Sequence, residues 1–587
     1  MKLFNQLCYI FPARQRWQFA GLFLLQLIET CLDFFGVSLI LPFVKMLVST
    51  DTMQSSGWYQ LTSRVMGGSP SMESVLLFIT ILMMLVYIGK NAFMLLLLNL
   101  RIKFISRNKV KMSAKMMRCY MRKPYTFHLQ RNTADIIRNI TGDVNGAFSV
   151  ISTIFALISD VLIVAVLAVY LFAVDTVMTL SILAALGFCS IVYFALVRRK
   201  IRNAGQKNRK ITSKMYKAIQ QAMGSIKEVK TMGRENFFAG VYEEAGEQSV
   251  DLSRRYAFIS AIPGRLIETL CICAVLSVIA VKIVTGAALV DVLPSLSAFA
   301  VAAIRLMPKA NSINNSINNI TYHKPSLEAL YEDLTESDRE EAARQKEIEE
   351  KQRQQKTVSI GEERDVFVKN LTFTYPNRSE AVLKDVNLTV KCGQSVGIVG
   401  STGAGKTTLV DLILGLLKPD TGTVCYGKLD IHEDYARWQK HIGYIPQNIY
   451  MVDDTIRNNI ALGIDSDKID DEAIWKALES AQLADFVRSL EDGLNTVIGE
   501  RGIRISGGQR QRIGIARALY YDPDILFFDE ATSSLDNETE AAVMESISAI
   551  GSQKTMIIVA HRLSTLKNCD KIYKVEDGAI METELSL

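Results

Sequence analysis

The sequence is poor in histidine. Its five residues, His128, His323, His432, His441 and His561, are widely spaced and leave no imidazole cluster for a transition metal. The nine cysteines are scattered and odd in number. That argues against a disulfide framework, and it places the C-terminal half, with Cys392 and Cys425, in a reducing compartment. The net charge of +5 is too small to call for nucleic acid as a partner. No cleavable signal segment precedes the first apolar run. What the sequence does have is apolar length: 49% of residues are apolar, yet 22% are charged. Both hold only if the two kinds are segregated, and the long apolar runs do fall in the first 310 residues. A chain of 587 residues also exceeds one core, so at least two domains are predicted.

Residues 1–16 mix apolar and basic side chains over a length too short to span a bilayer, and predict an amphipathic helix on the inner membrane surface. Six runs are long enough to cross about 30 Å of hydrocarbon. They lie near residues 19–48, 75–100, 148–174, 177–197, 256–284 and 290–308. Between spans two and three, residues 101–147 carry eleven Lys and Arg; between spans four and five, residues 198–255 carry fourteen. The opposite connections carry only Arg64. The excess of positive charge puts the long loops in the cytosol, and six crossings return the C-terminal half to the same side. Helical periodicity continues through both loops, so the spans extend beyond the bilayer as helices. Residues 333–356 are almost all charged or polar and read as a solvated helix or linker.

From Val366 onward, short β-like runs alternate with helical patterns, as in a mostly parallel sheet. The buried-strand pattern of residues 395–400 leads into Gly400, Ser401, Thr402, Gly403, Ala404, Gly405, Lys406, Thr407 and Thr408, and then into an apolar helix. This is a phosphate-binding loop in its strand–loop–helix setting. The glycines let successive N–H groups turn toward phosphate oxygens, and the helix N-terminus adds partial positive charge. Lys406 supplies a full charge to the β- and γ-phosphates of ATP, and Thr407 a hydroxyl for Mg²⁺. The apolar strand ILFFDE ends in Asp529, placed to hold Mg²⁺ through water, and Glu530, placed to polarise the attacking water.

The segment ISGGQ, residues 505–509, resembles the signature of ABC transporters, with Ile505 where leucine is commonest. The resemblance implies that Ser506, Gly507, Gly508 and Gln509 meet ATP bound to another subunit, so that two chains pair head to tail around two nucleotides. It implies also that Tyr375 stacks on adenine and that Gln447 reaches Mg²⁺ and water. His561 would contact the γ-phosphate, SSLD (533–536) would couple the two sites, and VIGERG (497–502) would touch the cytosolic loops. Residues 123–131 and 226–236 resemble exporter coupling segments. The implied fold is a six-helix exporter-type membrane bundle fused to a cytosolic α/β ATPase domain: residues 1–330 the membrane domain, 331–362 a charged linker and 363–587 the nucleotide-binding domain.

Stretches 28–44, 304–331 and 442–460 are similar to bacterial flippases of lipid-linked oligosaccharides, the PglK type. This implies an amphiphilic, lipid-linked substrate and a bacterial inner-membrane location, with a homodimer as the working unit. Three cations stand inside apolar spans: Lys90, Arg265 and Arg305. Burying a cation there is costly, so it faces a cavity or an anionic partner. In the flippase family basic residues of the cavity meet the lipid's pyrophosphate. The other reading is internal pairing with Glu29, Asp33, Asp160 or Glu268. A general lipid, drug or peptide exporter is the rival within transport, and an ATP-gated channel the rival outside it.

Overall fold

The computed structural model describes residues 2–38, 72–174, 176–284, 289–353, 364–530, 541, 554–560, 566 and 569–583; within the helices some side chains, among them that of Arg305, lie outside the description. The chain divides into two compact units, each taken by itself: Met1–Lys123 with Gln130–Lys346, and Glu347–Leu587 with Pro124–Leu129.

The first unit is helical: α1 (Lys2–Ile10), α2 (Ala13–Ser38) and α3 (Met72–Met121), then α4 (Tyr125–Gln130), most of which counts with the second unit. It continues with α5 (Thr133–Arg138), α6 (Val144–Val174), α7 (Thr176–Gly224), α8 (Ile226–Met232), α9 (Glu235–Val284) and α10 (Leu289–Arg353). The six long helices α2, α3, α6, α7, α9 and α10 contain the six expected spans, the first of them described only as far as Ser38. Among the described residues, three stretches are long and apolar enough to cross a membrane: Leu76–Met121, Thr133–Val169 and Glu235–Cys273. They correspond to the second, third and fifth spans.

At 50 residues, α3 and α9 are each about 75 Å long, more than twice the hydrocarbon thickness. The spans therefore do run on past the bilayer, as the periodicity of the basic loops predicts. The N-terminal sixteen residues differ from a single surface helix. The chain breaks at Phe11–Pro12, where proline removes a backbone donor, and a second helix starts at Ala13. Phe11 is buried, its ring 6.1 Å from those of Phe104 and Phe148. Of the two readings of the charged segment, solvated helix or linker, the helix is found as far as Arg353, because residues 331–353 continue α10 without interruption.

Beyond the bilayer the helices are tied by paired charges. A π-helical turn, Asn139–Asp143, joins α5 to α6. Its wider turn carries Asn139 and the buried Asp143. Arg209 grips Asp143 with two hydrogen bonds of 2.8 Å, and Asn139 donates to the Tyr120 hydroxyl at 2.7 Å. That hydroxyl donates in turn to Asp333 at 2.6 Å. Four helices are thereby linked through side chains 19 to 213 positions apart in sequence. A buried carboxylate such as Asp143 is tolerable because its partner satisfies both oxygens. Elsewhere α10 packs by close backbone approach. A Cβ on Gly205 would meet the carbonyl oxygen of Tyr322 at 1.9 Å, and one on Gly146 would meet Ser326 Cβ at 2.8 Å.

The second unit is an α/β domain. A four-stranded antiparallel sheet has the order β2 (Leu383–Val390), β1 (Val366–Phe373), β4 (Thr421–Tyr426), β5 (Leu429–Asp430). A six-stranded sheet has the order β10 (Ala579–Thr583), β9 (Lys571–Glu576), β3 (Ser395–Val399), β8 (Thr555–Val559), β7 (Ile525–Asp529), β6 (Ile442–Ile445). In it β9, β3, β8, β7 and β6 run parallel. Every residue of β7 is buried, as a central parallel strand covered on both faces requires. The main helices are α11 (Lys406–Ile413), α12 (Tyr435–Trp438), α13 (Ile456–Ile460), α14 (Asp471–Ser480), α15 (Ala484–Ser489) and α16 (Gly507–Leu519). Register aligns Ile398 and Asp529 with Val559, so β3, β7 and β8 end at one edge. Ligands of open parallel sheets bind at that carboxyl edge.

The approach of Gly205 to a carbonyl gives a direct test. Gly205→Ala forces α7 from α10 and is expected to cost about 1–3 kcal/mol, read as a lower melting temperature of the detergent-solubilised protein. At Gly187 an added Cβ meets nothing within 4 Å, and Gly187→Ala is expected to leave the melting temperature unchanged or slightly raised. Equal effects of the two substitutions would refute the close approach.

Candidate functional site

The loop after β3 takes a shape that only glycine adopts without strain. Gly400 has φ 156°, and a Cβ there would meet the Val575 carbonyl oxygen at 2.4 Å; Gly405 has φ 106° and caps α11. These turns bring the Lys406 side chain back over its own loop, where its ammonium donates to the carbonyls of Gly400 at 2.9 Å and Ser401 at 3.1 Å. Lys406 and Thr408 are buried, whereas Ser401, Thr402, Gly403 and Thr407 are exposed. Tyr375 is drawn to the same loop. Its hydroxyl lies 3.2 Å from that of Thr408, and its ring packs edge-on against Phe373 at 5.0 Å.

At the carboxyl edge of β7, Asp529 is buried and Glu530 adopts a left-handed backbone with φ 50°, which turns its side chain out of the strand's course. The Gln447 amide, from the loop after β6, donates to Glu530 at 2.6 Å. The Tyr444 hydroxyl, from β6 itself, donates to Asp529 at 3.3 Å. Burial raises the Asp529 carboxyl above its ordinary range, and the neighbouring Glu530 adds to the effect. Burial, with Asp529 second, pushes Asp411 up to about 6. Three acids, one ammonium and several exposed hydroxyls thus share one edge of the sheet. Such a set of hard oxygen donors suits Mg²⁺ rather than a soft metal.

The signature segment stands at the start of α16. Ser506 caps that helix, its hydroxyl accepting from the Gln509 N–H at 3.2 Å while the Gln509 side chain accepts from the Ser506 N–H at 2.8 Å. The Gln509 amide oxygen therefore closes the capping box. Ser506 and Gly507 are exposed. His561 and SSLD (533–536) lie outside the described residues.

Residues 383–533 match the family model described as ABC transporter, and residues 19–301 the model described as ABC transporter transmembrane region. The chain belongs to the ABC transporters. The transporter is 29% identical over 492 residues to a Ralstonia nicotianae protein named ATP-dependent lipid A-core flippase, an overlap of 83% of this chain and 78% of that one. The Escherichia coli K12 protein of the same name is 41% identical over 219 residues, 37% of this chain and 38% of its own length. A solved structure of a bacterial Atm1-family ABC exporter with ATP bound matches with a TM-score of 0.75, over 97% of this chain and 96% of that one, at 22% identity. That likeness is one of fold. The transporter is accordingly an ATP-hydrolysing membrane protein of exporter fold, with its ATP domain in the cytoplasm.

The three candidate cations of the transporter's membrane unit have different surroundings. Lys90 is buried, its ammonium 5.1 Å over the Tyr87 ring. Arg265 is exposed and pairs with Glu268 at 3.2 Å, one helical turn away. Of Arg305 the structure describes the helix it stands on, while its side chain lies outside the description. Asp160, one of the acids weighed as a partner for these three, is instead bound by Lys309 at 2.9 Å.

Tyr444 and Asp411 are parts of the site that motif reading passes over. The signal for Asp411 was a lone acid in the otherwise apolar run after Lys406. Its raised pKa carries a sign: the fold favours the protonated acid, so the stability this group contributes is lost as pH rises through about 6. The shift from 3.8 corresponds to about 3 kcal/mol against the folded state at pH 8. Asp411→Asn is expected to raise the melting temperature of the protein at pH 8, with the gain shrinking as pH falls toward 5. A gain independent of pH would show that the charge of Asp411 is not the cause.

Proposed function

We propose that this transporter is a homodimeric flippase that hydrolyses ATP at two composite sites and moves a lipid-linked oligosaccharide or related glycolipid across the bacterial inner membrane. The observation that carries the reading is the extent of the likeness to the Ralstonia nicotianae lipid A-core flippase, 83% of this chain. It takes in the membrane domain, the part that differs when the cargo differs. The similarity of stretches 28–44 and 304–331 to lipid-linked oligosaccharide flippases supports the finer substrate.

In the hydrolytic site, Lys406 and the loop N–H groups hold the phosphates, and Tyr375, fixed beside the loop, receives the adenine. Thr407, Asp529 and Gln447 are the residues to hold Mg²⁺, which when bound offsets phosphate charge. Glu530, kept in place by Gln447, orients and polarises the water that attacks the γ-phosphoryl group, and His561 contacts that group. Ser506, Gly507 and Gly508 serve the partner chain's nucleotide. The exposure of Ser506 and Gly507 supports this, because the Ser506 hydrogen bonds among the described residues stay within the first turn of α16. Exposed apolar side chains at Met223, Phe237 and Val250 support a second copy as their cover. The grouping of Pro124–Leu129 with the ATP unit supports residues 123–131 as a coupling segment.

Glu530→Gln keeps the phosphate and Mg²⁺ ligands but loses the charge that polarises water. ATP turnover is expected to fall by on the order of 10²-fold or more while nucleotide still binds, measured by phosphate release and by equilibrium binding on the same preparation. Turnover at the wild-type rate would remove Glu530 from that role.

For the cargo, the test is ATP-driven flipping of lipid-linked glycans by the full chain in liposomes. The Arg265–Glu268 pair leaves Arg305 as the stronger candidate for a phosphate group, which a guanidinium fork binds through two hydrogen bonds. Arg305→Ala is expected to lose most of the flipping, and Arg305→Lys to regain part of it, because charge survives but the fork does not. Wild-type flipping by Arg305→Ala would favour the rival general exporter with an apolar cargo.

A further inference from the structure

The last span continues into a sequence of unusual composition for a helix, Asn311 to Asn319, in which five of nine residues are asparagine. Asn311, Asn314, Asn315, Asn318 and Asn319 follow the spacing i, i+3, i+4, i+7, i+8, so they share one face of α10, with Ile313 and Ile317 behind. Asparagine is a poor helix former in water, since it competes for its own backbone. A whole face of it therefore calls for partners.

Some partners are present. Asn319 accepts from Ser149 and Thr153 of α6 at 3.1 Å, and Asn318 donates to the Tyr193 hydroxyl of α7 at 3.0 Å. Asn314 donates to the Ala310 carbonyl at 3.1 Å. The row is nonetheless unfinished. The amide oxygens of Asn311, Asn314 and Asn318 are buried without a hydrogen-bond partner among the described residues, although Asn314 and Asn318 are 2% and 0% exposed. Leaving such an acceptor unmade costs about 1–3 kcal/mol each. Helix stability does not account for three of them in a row.

Where the row begins, a cavity of about 730 Å³ opens between α9 and α10. Ser260, Gly264, Arg265, Glu268, Asn311 and Asn315 line it. Gly264 admits the Asn311 carboxamide, whose oxygen lies 2.7 Å from where a Cβ would stand. Ala257, Ala261, Met307 and Pro308 complete the lining. Its one cation and one anion among the described residues are paired with each other at 3.2 Å, so the wall mixes apolar and polar groups without net charge. An anion would find no unmatched positive group there. A neutral head group rich in hydroxyls would find complementary groups there: the unpartnered Asn311 oxygen and Ser260 hydroxyl, the Asn315 amide, a paired guanidinium and carboxylate, and apolar side chains for the faces of a sugar ring.

We propose that this cavity is the saccharide subsite of the transported lipid, reading its head group through the Asn311 and Asn315 amides, Ser260 and the Arg265–Glu268 pair. The inference rests on the glycolipid reading above and adds to it an order along α10. Arg305 stands six residues before Asn311, about 9 Å along the axis on the membrane side. A lipid with its tail in the bilayer, its phosphate at Arg305 and its sugar at the asparagine row would lie in that order.

The test uses the full chain in liposomes and two fluorescent glycolipids of one carrier: one with a neutral hexose head, the other with the same sugar fully O-methylated. Methylation keeps the ring and its acceptors but removes every hydroxyl donor. The wild-type protein is expected to flip the hydroxylated lipid faster by on the order of 10-fold or more, since a site built to bond a hydroxyl rejects the analogue without it. In Asn311→Leu and in the double variant Asn311→Leu with Asn315→Leu, that preference is expected to fall to within about two-fold. Equal wild-type rates for the two lipids would overturn the subsite while leaving the glycolipid reading intact; movement of neither would overturn the reading itself. Variants that keep the wild-type preference would also refute it. Because the wild-type comparison needs no variant, a substitution that misfolds does not rescue the idea. A soluble disaccharide at millimolar concentration separates two sources of the same chemistry: competition assigns the sugar to solution, and its absence to the lipid.

Discussion

The ATP unit is organised around a repulsion. Asp411, Asp529 and Glu530 are acids brought to one end of a buried sheet, and burial raises the first two above their ordinary range. Left alone, such a group would push the strands apart or take up protons. It is held by fixed donors: the Tyr444 hydroxyl on Asp529, the Gln447 amide on Glu530, and the ammonium of Lys406 close by. The sheet is what makes those donors fixed. Its core strand has no exposed residue, so Asp529 cannot retreat without unpairing β7 from β6 and β8. A site under this kind of tension is one that a cation relieves, and the same concentration of charge that weakens the fold prepares it for a metal-bound ligand.

The parts of this arrangement that could be read from sequence are those whose geometry is local. The phosphate loop follows its strand and precedes its helix within a few residues, so glycine positions alone predict the turns observed at Gly400 and Gly405. The two acids after ILFF are legible for the same reason. Tyr444 and Gln447 come from β6 and the loop behind it, and reach acids 83 to 85 positions away only because β6 pairs with β7. Gln447 was reached through a family resemblance, Tyr444 not at all. Pairing order in a parallel sheet is not written in any one strand. The double use of Gln509 was likewise hidden, because serine followed three residues later by glutamine is at once a capping box and part of a signature.

In the membrane unit, periodicity and length located the helices but not their partners. Lys90, Arg265 and Asp160 all look alike in sequence, each a charge in an apolar run. The structure separates them: one cation sits over an aromatic ring, one is paired along its own helix, and the acid is bound by Lys309 from α10. The ties of Asp143 to Arg209 and of Asn139 to the Tyr120–Asp333 pair depend on a π-helical turn, which has no sequence signature. The helix through residues 331–353 was only half legible, since a polar run reads as solvated helix or linker alike unless something packs on it. Here Lys123 reaches Glu336 and Glu340 of that helix, at 3.2 and 2.7 Å.

These observations give α10 a particular place in the molecule. It begins in an apolar span, passes Arg305, presents the asparagine row, and ends in a charged extension fastened to α3. Polar groups thus line it from the membrane outward, and they fall into two kinds. Some are spent on neighbours and are structural: Asn318 and Asn319 on α7 and α6, Asp333 on Tyr120. Others, the amide oxygens of Asn311, Asn314 and Asn318, are left over in a place where leaving them costs stability. A helix that only had to hold the bundle together could replace them with leucine and gain packing. Their retention near a cavity whose charged groups cancel fits a helix that holds the bundle with one part of its polar face and faces the cargo with the other.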